Sequence, residues 1–156
     1  MGDREFLERA VALAAEHSAD GDCGPFGAVL VKDGRIIAEG WNRVVSGQDP
    51  TAHAEVTAIR AACEALDTHE LKGCTLYSSC EPCPMCFSAA VWARVDRIVY
   101  AETREGAARA GFDDDRLYRA LQDCEPGRLV RMEHLPLASA TRVFDRWLEN
   151  DERIDY

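Results

Sequence analysis

The chain has 156 residues, a formal net charge of −10 at pH 7 and ordinary apolar and charged fractions of 47% and 29%. We therefore expect one globular domain, residues 1–156, with a core of its own. The N-terminus lacks the apolar stretch of a secretory signal, and the seven cysteines lack the even spacing of a disulfide framework, so we expect a cytoplasmic protein. No apolar run approaches the ~20 residues of a membrane span, and the acidic charge disfavours nucleic acid, so we expect neither a membrane nor a nucleic acid as a partner.

The first half of the sequence predicts a helix, a hairpin and a second helix. Apolar residues recur at helical spacing from Asp3, the expected N-cap, to about residue 19. Two β-branched runs, 26–32 and 35–41, flank an Asp-Gly turn, which is typical of a β-hairpin. An alanine-rich helix is expected from about residue 52 to 66, capped by Asp49 or Thr51.

The second half predicts a parallel pair of strands joined by a helix. Strand 74–78, a helix from Pro84 to about residue 94 and strand 97–101 form this βαβ unit. Further helices are expected at 103–110, 116–121 and 141–149, and a fifth strand at 129–133. The elements together indicate a three-layer α/β/α domain with a mixed five-stranded sheet.

Two short motifs carry the chemistry. His53 and Glu55 form a His-x-Glu at one predicted helix start, and Cys83 and Cys86 form a Pro-Cys-x-x-Cys at another. This combination is typical of zinc deaminases of nucleobases. A catalytic zinc takes three protein ligands and leaves one position for water, so we expect one Zn²⁺ on His53, Cys83 and Cys86. Glu55 then takes the proton from the activated water and passes it to the departing amine.

Two less specific interpretations stay open for the cysteines. Cys80 could serve as a fourth ligand and close a structural zinc site, which would make the chain a non-catalytic zinc module. That interpretation gives Glu55 no role. The four other cysteines are expected to be small buried side chains: Cys23, Cys63, Cys74 and Cys124.

The chain resembles the cytidine/nucleotide deaminase superfamily and, within it, the bacterial guanine deaminases. The resemblance runs along nearly the whole chain in register. Its residues are Pro25–Val29 (PFGAV), Val31–Gly34 (VKDG), Asp49–Arg60 (DPTAHAEVTAIR), Ser79–Cys86 (SCEPCPMC), Trp92–Arg94 (WAR), Gly111–Asp114 (GFDD) and the final Tyr156. HAE and PCxxC mark the superfamily, whereas GFDD and the terminal tyrosine favour the guanine branch.

The resemblance implies a set of substrate contacts. Asn42 would hold the edge of the base, Phe26 would stack on its ring, and Asp114 would be a second catalytic acid. Tyr156 would close the pocket, and Ala54 and Trp92 would also contact the substrate. Residues alone leave simpler alternatives: an Asx-turn for Asn42, a helix cap for Asp114, and core positions for Phe26 and Trp92.

The resemblance implies the reaction of guanine with water to give xanthine and ammonia. It also implies a homodimer, in which residues 150–156 form a lid or a tail exchanged between subunits. Three alternatives stay open: deamination of guanosine, deamination of another aminated heterocycle such as an s-triazine or cytosine, and deamination of adenosine in tRNA.

Overall fold

The computed structural model of the protein describes residues 2–19 and 21–154. The elements in chain order are α1 (Asp3–Ser18), β1 (Gly27–Lys32), β2 (Arg35–Trp41), α2 (Ala54–Leu66), β3 (Cys74–Cys80), α3 (Pro84–Trp92), β4 (Arg97–Glu102), α4 (Arg104–Arg109), α5 (Asp115–Gln122), a 3-10 turn (Pro126–Arg128) and α6 (Ala138–Glu149). No helix within these residues is long and apolar enough to cross a membrane.

The sheet has the order β2-β1-β3-β4. β1 runs antiparallel to both β2 and β3, and β3 runs parallel to β4. The predicted hairpin is confirmed, and its turn residues Asp33 and Gly34 both have positive φ, at 50° and 71°. That conformation matches the twist of the flanking strands, which explains the Asp-Gly pair. The predicted βαβ unit is confirmed as β3-α3-β4.

Helices cover both faces of the sheet because the central strands are apolar on both sides. Ala28 and Leu30 of β1 pack in one cluster with residues of α2 and α3. Val29 and Val31, which point the other way, pack with Phe6 and Leu13 of α1. This alternation with a period of two residues confirms the predicted three-layer α/β fold.

Two glycines let helices approach the sheet closely. A Cβ atom at Gly27 would overlap the backbone of Ala10 in α1. A Cβ atom at Gly40 would overlap the backbone of Ala54 and Ala58 in α2. Glycine at position 40 therefore sets the height of the first turn of α2 above β2.

The prediction of a fifth strand is wrong: the sheet of the described residues has four strands, and residues 129–133 form none of them. A strand needs a neighbouring strand edge and an apolar surface to pack on. Val130 and Met132 are 64% and 68% exposed, so no apolar surface covers the side chains of this stretch.

The chain divides into two compact units, residues 1–119 and 120–156. The first contains the whole sheet and helices α1 to α4, and the second contains the 3-10 turn and α6. The single deaminase domain inferred from the sequence stays a prediction. In the proposed tail, residues 150–154 follow α6, and Tyr156 lies outside the described residues.

Candidate active site

The starts of α2 and α3 carry the side chains of the site. His53 is the N-cap of α2 and Cys83 is the N-cap of α3, each with extended backbone at ψ 158° and 167°. The prediction that Asp49 or Thr51 caps α2 is wrong, since the Asp49 carboxylate instead accepts the N–H and hydroxyl of Thr51 at 2.8 and 2.6 Å. Two helix N-termini, which carry partial positive charge, thus face the cluster and favour thiolates there.

The three predicted zinc ligands converge. Cys83 Sγ lies 3.6 Å from His53 Nδ1 and 3.6 Å from Cys86 Sγ, and Cys86 Sγ lies 3.5 Å from His53 Nδ1. Tetrahedral zinc with typical bond lengths would separate such donor atoms by about 3.5 to 3.8 Å. The nitrogen and sulfur donors are therefore of the right type and at the right spacing for one Zn²⁺.

Binding of a metal ion must displace the protons of the Cys83 and Cys86 thiols. Pairing with the Cys86 thiol lowers the pKa of Cys83 to about 4, with His53 adding to the effect. The same pairing, together with burial, raises the pKa of Cys86. The hydrogen bond to Cys83 also raises the pKa of His53. Zinc requires both thiolates and neutral imidazole, so its binding releases protons from this cluster.

Cys80 does not join the metal cluster. Its Sγ donates to the carbonyl oxygen of Thr103 at 3.6 Å, and burial raises the pKa of the thiol to about 11. Within the described residues, the cluster that could hold this metal consists of His53, Cys83 and Cys86. The closed structural site therefore loses its fourth ligand, and a four-coordinate ion held by these three residues would keep one position for water.

Glu55 lies beside this cluster. It is the second residue of α2, and its side chain is buried, with the residue 6% exposed. Burial raises the pKa of the Glu55 carboxyl above its usual range. Ser78 Oγ donates to Glu55 Oε1 at 3.2 Å. The carboxylate is thus held at a defined place beside the ligand side chains.

A cleft of about 670 Å³ opens over the cluster. It brings together six of the residues that the sequence analysis selected: Phe26, Asn42, His53, Glu55, Cys83 and Asp114. The cleft is large enough for a small heterocycle and reaches His53, Cys83 and the buried Glu55, which is what a substrate site requires.

The carbonyl oxygen of the Asn42 side chain is already in use. It accepts the backbone N–H of Gly24 at 3.3 Å and that of Val44 at 3.2 Å. Within the described residues, the amide nitrogen of Asn42 has no partner. An asparagine amide can offer a ligand both a donor and an acceptor, but here only the donor is available.

Asp114 and Phe26 form part of the wall. The carboxylate of Asp114 accepts no hydrogen bond from a described residue, and burial raises its pKa. Its backbone carbonyl accepts from Leu117 and Tyr118, so only its backbone caps α5. The Phe26 ring meets Phe112 edge to face, with centroids 4.8 Å apart. The pair fixes an apolar surface beside the carboxylate.

Two other predicted contacts, Ala54 and Trp92, do not line the cleft. Ala54 is fully buried in the core beneath the first turn of α2, since it packs where Gly40 leaves room. Trp92 is the last residue of α3 and is 63% exposed, so it belongs to neither the core nor the cleft wall. Tyr156 lies outside the described residues.

Sequence reasoning missed several residues of the site. Glu81, Phe112, Val44 and Val45 line the cleft, and Cys23 lines it too instead of being a small buried residue. Glu81 and Phe112 stand inside the quoted motifs, which was the available signal. Nothing in the local pattern singles out the valines. Cys124 is exposed, so the prediction of a buried thiol is wrong there as well.

A three-layer α/β fold with a three-ligand His/Cys/Cys site and a buried carboxylate defines the class of zinc-dependent hydrolytic deaminases. The sequence profile of the cytidine and deoxycytidylate deaminase zinc-binding region matches residues 1–102, and the chain belongs to this family.

Individual relatives match most or all of the chain. The chain is 47% identical to the guanine deaminase of Bacillus subtilis over 156 residues, covering 100% of both sequences. The X-ray structure of that protein superposes with a TM-score of 0.94, covering 100% of this chain and 99% of that one. The tRNA-specific adenosine deaminase of Aquifex aeolicus is 34% identical, covering 96% and 95%. A protein solved in complex with 2,6-diaminopurine is 37% identical, with a TM-score of 0.69, covering 72% and 63%.

Proposed function

We propose that this enzyme converts guanine and water to xanthine and ammonia, with one Zn²⁺ held by His53, Cys83 and Cys86. The observation that carries the proposal is the buried Glu55 carboxylate beside a three-ligand metal site that opens into the cleft. The full-length similarity to a guanine deaminase favours guanine over other aminated bases.

Glu55 moves the protons of the reaction. When bound, zinc lowers the pKa of a coordinated water to about 7, which supplies a nucleophile at neutral pH. The Glu55 carboxylate takes a proton from the attacking water and gives it to the ring nitrogen beside the carbon under attack. It then takes the remaining proton of the hydroxyl group that the attack placed on this carbon and transfers it to the exocyclic amine. The carbon–nitrogen bond breaks as the new carbonyl forms, and ammonia leaves.

The cleft residues orient the base. Asn42 donates its free N–H to an acceptor on the base edge, and guanine offers its oxo oxygen and ring nitrogens for this. Asp114 accepts from an N–H of the base, because its carboxylate has no described partner to satisfy first. Phe26, held by Phe112, packs on the ring. The closing role of Tyr156 rests on the resemblance alone.

We propose a small-molecule substrate rather than RNA. Relatives named tRNA-specific adenosine deaminases match most of this chain, so tRNA is the alternative substrate to consider. The net charge of −10 opposes phosphate binding, and Arg142 and Arg146 of α6 are offset by Asp145 and Glu149. A tRNA gel shift at moderate salt should show no binding. We place the enzyme in the cytoplasm.

We also propose a homodimer, with exchange of the C-terminal tail as one form of it. Both units expose large apolar side chains, and groups of such side chains on a surface are typical of protein–protein interfaces. They are Phe87, Val91 and Trp92 on α3, and Val143, Phe144 and Leu148 on α6. Val91→Glu should shift the mass in solution toward the monomer. Val11→Glu, the same change at an exposed site of α1, is the matched control.

The substrate is tested by ammonia release from the purified, zinc-loaded protein. Guanine, guanosine, adenine, cytosine and an s-triazine amine are offered in parallel. We expect kcat/KM for guanine to exceed that for each other compound by at least about 100-fold, since a site that pairs with buried polar groups rejects mismatched bases. Equal or better turnover of any other compound would reassign the substrate.

A further inference from the structure

We propose that Ser78 is a positioning residue for catalysis: it holds one oxygen of the Glu55 carboxylate so that the other oxygen faces the water and the base. The inference rests on the proposed function, in which Glu55 carries the protons. It comes from a contact between Glu55 of α2 and a residue of the sheet, Ser78, which lies outside both zinc motifs.

Ser78 is placed for this task by the sheet. It lies in β3, between Ala28 of β1 and Tyr100 of β4, so the surrounding strands fix its backbone. It is 2% exposed. Its hydroxyl oxygen lies 3.2 Å from Glu55 Oε1, and the direction of the bond is set because a carboxylate can only accept.

The Glu55 carboxylate needs such a partner. The terminal torsion of a glutamate is broad, so burial alone does not choose which oxygen faces the cleft. In the described structure the carboxylate also pairs with the Cys86 thiol and with its own backbone N–H. A cysteine that binds zinc is a thiolate and has no proton to donate. Among the described side chains, Ser78 is then the remaining donor to Glu55.

The neighbouring serine provides a matched control. Ser79 is also buried, at 8% exposed, but it points to the opposite face of the sheet. Its hydroxyl accepts the backbone N–H of Gly27 at 3.0 Å. Ser78→Ala and Ser79→Ala thus remove the same atom from adjacent positions of one strand, and only the first touches Glu55.

Steady-state kinetics with guanine test the role. Ser78→Ala should retain full zinc content and lower kcat by about tenfold or more, the effect of losing a hydrogen bond to a charged group. KM should change by less than about threefold. Ser78→Thr, which keeps the hydroxyl, should recover most of kcat. Ser79→Ala should lower the melting temperature while kcat stays within about twofold of the parent.

A readout independent of turnover separates the two proposals. The carboxyl ¹³C resonance of Glu55, assigned by its loss in Glu55→Gln, should shift in Ser78→Ala and stay unmoved in Ser79→Ala. Absence of this shift, or parental kcat in Ser78→Ala, overturns the role of Ser78. If the resonance shifts clearly in Ser78→Ala but the parent protein deaminates none of the five compounds, the proposed function is overturned instead.

Discussion

Gly40 lies directly against Ala54, and this contact between β2 and the first turn of α2 sets the height of the catalytic side chains above the sheet. His53 precedes Ala54 and Glu55 follows it. A side chain at position 40 would overlap backbone atoms, which cannot rotate away as a flexible side chain does. The position of the zinc site therefore depends on Gly40 of β2, because a residue with a Cβ atom would not fit there.

Gly40→Ala should push the start of α2 away from the sheet. We expect a loss of about 1–3 kcal/mol in the free energy of unfolding, typical of overpacking, and a larger loss of activity than of stability. Urea unfolding and guanine turnover measure the two effects. Gly127→Ala is the control, because nothing lies within 4 Å of a Cβ there. A Gly40→Ala protein with parental activity would contradict this placement.

Two substitutions of Asn42 separate its two roles. In Asn42→Asp, a carboxylate oxygen still accepts from Gly24 and Val44, but the donor to the base is lost. We expect a melting temperature near that of the parent and a KM for guanine raised by about 10- to 100-fold.

Asn42→Ala removes the acceptor as well. It leaves two backbone N–H groups unpaired and should cost about 1–3 kcal/mol of stability in addition to the loss of binding. Guanine binding by Asn42→Asp as tight as in the parent would show that the amide nitrogen is not used.

The start of α1 is tied to the sheet by a carboxylate that titrates at low pH. We expected Asp3 to be the helix N-cap, but Gly2 holds that position. The Asp3 carboxylate accepts from Arg97 Nη2 and from the Tyr77 hydroxyl, each at 2.6 Å. The hydrogen bonds from Arg97 and then Tyr77 lower the pKa of Asp3 to about 2.

This lowered pKa predicts how Asp3 contributes to stability as the pH changes. An unfolded aspartate titrates near about 3.9, so the contribution is complete above that pH and is lost as the pH falls through about 2. The urea midpoint of Asp3→Asn should therefore lie below that of the parent near neutral pH, and the two should converge in acid. Asp96→Asn, at an exposed aspartate directly before β4, is the control. A gap that stays constant down to about pH 2 would contradict the assignment.

Removing residues 154–156 tests the tail. If Tyr156 closes the pocket, the truncated protein should lose at least about tenfold in kcat/KM, because an open pocket admits water and holds the base loosely. Its melting temperature should match that of the parent. Tyr156→Ala alone should reproduce the loss of activity. Full activity in the truncated protein would remove the tail from the mechanism.

The parts of the site that sequence reasoning found are those set by local geometry. His53, Cys83 and Cys86 stand at helix starts, where short motifs fix both ligand spacing and backbone. The contacts that sequence reasoning missed depend on elements far apart in the chain. Ser78 contacts Glu55, which is 23 residues away in the sequence, and Gly24 contacts Asn42, which is 18 residues away. No periodicity in the sequence signals such encounters.

The fold shows the same division. The hairpin and the βαβ unit were predictable because turn residues and apolar alternation specify them locally. The stretch 129–133 carries a similar alternation without forming a strand, because a strand requires a partner that sequence alone does not reveal.

We propose an open, catalytic metal site with Glu55 as its proton carrier. Zinc content and guanine turnover of Glu55→Gln, measured in the same preparation, give the decisive test. Glutamine keeps the size of the side chain and can still accept from Ser78, but it cannot take up the proton. We predict one zinc per chain and a kcat lowered by about 10²- to 10⁴-fold. Loss of the zinc together with the activity, or turnover at the parental rate, would contradict the account.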